Sequence, residues 1–188
     1  MITEPLDLTN PDDSLLRRLA RQSLENTASP MFLIKNFGFE QLLQSVIARA
    51  SSENTCLSDG KSHFDLKTEH TQDDPLFDEF RDEMKALATR VATILFGEES
   101  AAGVQLDGPL SVKSYVGESD ESRTDDIRLG AHVDGNMFTI LWSNAPGLQV
   151  LKPEKNVNAE DLMFYGNAYL PSSSMCVAAL WRQLQHHN

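Results

Sequence analysis

Residues 128–151 read RLGAHVDGNMFTILWSNAPGLQVL, and the interpretation of the chain turns on them. His132 and Asp134 stand two apart. A strand sends residues i and i+2 to the same face, so one short strand can aim an imidazole and a carboxylate at one point. Those are two members of the 2-His-1-carboxylate set that holds non-haem Fe(II) and leaves coordination positions open. The bare H-x-D spacing is weak, because such pairs arise often by chance and most are surface or hydrogen-bonding residues. Asp134-Gly135-Asn136 follows as a turn signal, then the apolar run Met137 to Trp142. Pro146-Gly147 marks the next turn, and Leu148 to Leu151 restarts a strand.

Upstream the texture is helical. Asn10-Pro11 reads as the start of a first helix, with Asn10 as N-cap and Pro11 at the first helical position; Leu15, Leu16, Leu19 and Leu24 give its apolar stripe. Met31 to Phe37 reads as a strand, and Phe39 to Ala50 as a second helix with Phe39, Leu42, Leu43, Val46 and Ile47 inward. Ser51 to Asp73 is polar and aperiodic and reads as a loop, in which His63 and His70 are ordinary exposed histidines. Asp74 to Phe96 is the strongest helix, with Asp74 as cap, Pro75 at its first position and Gly97 just past its end. Phe77, Phe80, Met84, Leu87, Val91, Ile94 and Leu95 follow helical spacing and form a core stripe.

From Gly103 onward short strands follow: Leu110 to Val116, Ile127 to His132, Met137 to Trp142, Leu148 to Leu151, Asp161 to Tyr165 and Met175 to Trp181. Helices first and short antiparallel strands after predict an α+β chain with a jelly-roll core. The expected organisation is one domain over 1–188. Residues 1–102 are its mainly helical part and 103–188 its jelly-roll part, with a divergent tail after 152.

At 188 residues the chain is long enough for a sizeable core, and 40% hydrophobic with 23% charged residues is ordinary for a globular protein. A net charge of −12 repels phosphate backbones, which argues against nucleic acid as a partner. No apolar run approaches a membrane span, and the acidic N-terminal stretch does not read as a signal peptide. Cys56 and Cys176 are too few for a disulfide framework, so a reducing, cytoplasmic setting is expected.

The central stretch resembles the iron/2-oxoglutarate dioxygenases of the isopenicillin N synthase-like family. Their pattern is L-G-x-H-x-D-x-x-x-x-T-(I/L)-L…P-G-L-Q-V. Leu129, Gly130, His132, Asp134, Thr139, Ile140, Leu141, Pro146, Gly147, Leu148, Gln149 and Val150 all fall in place. MFLIKNF followed by Gly38 resembles the family's early G-F-F-x-(V/I)-x-N-H-G segment, with Phe37 where a non-ligand His is usual. The resemblance implies a distorted double-stranded β-helix with the N-terminal helices packed outside. It also implies Fe(II), 2-oxoglutarate as co-substrate and O₂, with ascorbate as a possible reductant. The implied reaction is hydroxylation or a related C–H oxidation of a small organic metabolite. His132 and Asp134 would be metal ligands. The family's R-x-N-x-Y strand falls on Ser111, Lys113 and Tyr115, so Tyr115 would bind the 2-oxoglutarate carboxylate, and Lys113 shares its face of the strand.

The tail departs from this pattern. The family's distal His stands on S-x-x-H-R-V, followed by R-x-S, whose Arg pairs with 2-oxoglutarate. After Asp134 this chain has His186 and His187 and a single arginine, Arg182. His186 lies about fifty residues past Asp134, in the unmatched context WRQLQHHN. The third ligand expected is therefore His186, and the resemblance extends over roughly residues 30 to 152, as in a C-terminally truncated or divergent relative. Two alternatives stand beside an active oxygenase. One is a catalytically impaired relative acting as a binding module; the other is a metal-independent cupin-like binder, against which the PGLQV match argues.

Overall fold

A cap, a periodic stripe and a stop define the longest element. The Asp74 carboxylate accepts a hydrogen bond from the Leu76 amide (3.0 Å), and its carbonyl accepts from Phe77 and Asp78, both at 3.1 Å. Pro75 then opens helix α3, Pro75–Phe96, where a missing N–H costs nothing. Gly97, with φ of 88°, ends it. Phe77, Phe80, Leu87, Val91, Ile94 and Leu95 are all buried and Met84 is half-buried, so the stripe read from spacing is the packed face.

The computed structural model describes residues 4–26, 31–53, 61–66, 74–103, 110–115, 138–143, 148–151, 164–168 and 174–179. Their elements, in chain order, are β1 (Leu6–Asp7), α1 (Asp13–Asn26), β2 (Met31–Lys35), α2 (Glu40–Glu53) and β3 (Lys61–Asp65). Helix α3 follows, then α4 (Glu98–Ala101), β4 (Ser111–Tyr115), β5 (Phe138–Leu141), β6 (Leu148–Leu151), β7 (Phe164–Ala168) and β8 (Ser174–Ala179). They form two compact units. One holds β1, α1, β2, the part of α3 from Leu87 on, α4 and strands β5 to β8. The other holds α2, β3, the part of α3 up to Ala86, and β4.

The first unit is built on a four-stranded sheet in the order β1-β2-β8-β5. Strand β2 runs parallel to β1 and antiparallel to β8, with Met31 opposite Ala178 and Ile34 opposite Met175. Phe32, Leu33 and Ile34 are consecutive and all buried, so β2 is covered on both faces, as an inner strand must be. Strand β8 lies between β2 and β5, with Phe138 opposite Ala179 and Leu141 opposite Cys176. Strands β6 and β7 make a separate antiparallel pair with an irregularity between Gln149 and Val150. Residues beyond 152 thus supply β7 and the inner strand β8.

Helix α1 is held to the end of α3 by two arginines. Arg17 donates from Nε to the Ile94 carbonyl and from Nη2 to the Thr93 carbonyl, both at 3.2 Å. These are carbonyls of the last turn, and the Thr93 carbonyl also accepts from the Gly97 amide at 2.9 Å. Arg90 forms a two-pronged ion pair with Asp13.

In the second unit β3 and β4 form an antiparallel ribbon, extended by the Leu66 amide donating to the Leu110 carbonyl at 2.9 Å. Phe64 packs on Phe77 of α3, with ring centroids 5.6 Å apart, and Phe80 meets Phe39 edge-on at 6.1 Å. Leu43, Val46 and Ala50 bury the inner face of α2.

Two expectations are corrected. The first helix begins at Asp13 rather than Pro11: Asp12 is the cap, its carboxylate accepting from the Leu15 amide (2.9 Å). Asn10 instead accepts from the Asp12 amide at 2.9 Å, in a turn that precedes the helix. The loop expected over Ser51 to Asp73 contains the end of α2, to Glu53, and the whole of β3. Its sequence KSHFD has one apolar residue, so the strand is imposed by pairing with β4 rather than announced by alternation. The strand expected over Ile127 to His132 lies outside the described residues.

Candidate functional site

Of the five residues that the sequence assigns to a site, two lie on described strands. Lys113 and Tyr115 stand on β4, and Lys113 is exposed. In register, Lys113 faces His63 and Tyr115 faces Lys61. His132, Asp134 and His186 lie outside the described residues, as do His70 and His187. Among the described residues no group of three or more His, Cys, Asp or Glu could hold a metal ion.

What the described strands do fix is where the chain enters and leaves. Strand β5 begins at Phe138, four residues after Asp134, and Phe138 pairs with Ala179, the last residue of β8. Because the pairing is antiparallel, the chain that arrives from Asp134 and the chain that departs toward His186 meet the sheet at the same end. Thr139, Ile140 and Leu141 of the motif lie in β5, opposite Ala178, Val177 and Cys176. The motif's apolar part thus packs alongside the part of the tail that nothing in the motif would have foretold.

The charged groups with shifted ionisation lie elsewhere. Arg90 beside Asp13 holds that carboxyl below its ordinary value, chiefly through the hydrogen bond; burial opposes this, and the charges of Arg90 and Arg17 add to the lowering. The hydroxyl and amide of Thr9 and a hydrogen bond from Asn36 do the same for Asp7. Both are structural, at the start of α1 and the turn after β1. No helix among the described residues is long and apolar enough to cross a membrane.

Lys61 and His63, on a segment whose sequence reads as a loop, lie on β3 in register with Tyr115 and Lys113. In the sequence the strand shows only as Phe64 among polar neighbours, a pattern too short to stand alone.

No protein-family model matches the chain, and no curated protein matches it. Among solved structures, the 2.20 Å crystal structure of a "putative oxygenase" from Shewanella oneidensis matches with a TM-score of 0.64 and 14% sequence identity. The match covers 95% of this chain and 76% of that one. At that identity the likeness is one of fold: the chain shares the fold of that protein. A coverage of 95% exceeds what residues 1–152 alone would supply, so the shared fold includes part of the tail.

Proposed function

We propose that the chain is an Fe(II)/2-oxoglutarate-dependent oxygenase with a distorted jelly-roll core, acting on a small organic metabolite. In this reading His132 and Asp134 are metal ligands, and the third donor comes from the tail, at His186. The observation that carries it is the register Phe138–Ala179. Asp134 precedes β5 by four residues and His186 follows β8 by seven. An extended chain spans at most about 3.5 Å per residue, so these leads reach roughly 14 Å and 25 Å from neighbouring points at one end of a sheet. Covalent reach therefore allows both to meet at one ion. The donor chemistry fits as well: two imidazoles and a carboxylate are the set that suits Fe(II) with open positions. The fold likeness to a protein named as an oxygenase supports the same reading.

Bound iron would supply the centre at which dioxygen is activated while 2-oxoglutarate is decarboxylated. The chain's own residues would bind and orient. Asp134 would contribute the hard anionic donor and His132 a neutral one. The Tyr115 hydroxyl and the Lys113 ammonium are the groups proposed for the carboxylate of 2-oxoglutarate.

A second reading is a catalytically impaired relative that binds without turning over. It is favoured by one feature: His186 stands in the context WRQLQHHN, which departs from the family's S-x-x-H-R-V. Lys113 would bind a carboxylate as a point charge, without the fork by which an arginine clasps it in two places. The deciding experiment is succinate release from 2-oxoglutarate by the purified chain with Fe(II) and ascorbate, in the parent and in His186→Ala/His187→Ala. Slow turnover that disappears in the double variant is the expected result. No turnover in a folded parent that binds Fe(II) would establish the second reading.

A further inference from the structure

We draw no further inference here: the strongest candidate, the apolar surface patch at the β5 end of the four-stranded sheet, where Leu141 is exposed, carries nothing because nothing in the structure shows what covers it.

Discussion

Ile34 and Met175 stand directly opposite one another in the β2–β8 ladder, and both are buried, Ile34 completely. An early strand and a late one therefore share a single core contact. Met175→Ala should cost about 2–4 kcal/mol, the range for a large-to-small change in a packed interior. Ile34→Ala should cost a similar amount. Because the two side chains are neighbours, the double variant should lose other than the sum of the single losses. Urea unfolding of the four proteins measures this. Additive losses would mean that the two positions do not share a packing site.

The metal assignment makes a selective prediction. Asp134→Ala should abolish Fe(II) binding, measured anaerobically by calorimetry, because a charged oxygen donor is lost. His63→Ala and His70→Ala should leave it unchanged. A comparable loss in His63→Ala would move the metal to the ribbon and contradict the H-x-D assignment.

The Arg90–Asp13 pair predicts a pH dependence. The Asp13 carboxyl titrates below its ordinary value in the folded chain, so the folded state favours its ionised form. The stabilisation is complete above the unfolded pKa, near 3.9, and is lost as pH falls through the lower folded value. Both side chains are about a third exposed (31% each), so the pair contributes only about 0.5–1 kcal/mol. Asp13→Asn should therefore be less stable than the parent at pH 7, and the gap should narrow as pH falls below 4. A gap that stays constant with pH would assign the loss to packing instead.

Gly97 offers a backbone test. At φ of 88° any side chain is strained, and a Cβ there would come within 3.4 Å of Arg17 Nη2, which is bonded to the Thr93 carbonyl. Gly97→Ala should destabilise by about 1–2 kcal/mol. Its thermal midpoint should fall further when combined with Arg17→Met only if the two losses are independent; a smaller combined loss would show that the new methyl acts by dislodging the guanidinium.

Much of the architecture was legible because its signals are local. Helix α3 announces its cap, its stripe and its stop within 24 residues, Asp74 through Gly97. Strands β2, β4, β5 and β6 fall where alternation and turn residues set them. The start of α1 is ambiguous in the sequence because Asn10, Asp12 and Asp13 are all competent caps, and the hydrogen bonds alone choose Asp12. Strand β3 was invisible because its pairing partner, not its own pattern, makes it a strand. The role of the tail was obscured for a related reason. Nothing in SMCVAA says that it will be clasped between β2 and β5, which are distant in sequence. Of the site, the sequence nominates residue types and order; the register adds that the start of β5 and the end of β8, next to the stretches that carry Asp134 and His186, meet at one end of the sheet.

The clasp of β8 between β2 and β5 also sets a timetable for synthesis. Roughly 140 residues separate Ile34 from the partner it needs, which at ordinary translation speeds is a wait on the order of ten seconds. Throughout that interval MFLIK has emerged with its neighbouring ladder position vacant, an apolar strand with open amides and carbonyls. Long-range pairing of this kind is slow to form and open to capture by other chains. The ribosome-bound nascent chain should thus be a client for chaperones that shield extended apolar segments, and it should shed them only once Ser174–Ala179 has been made.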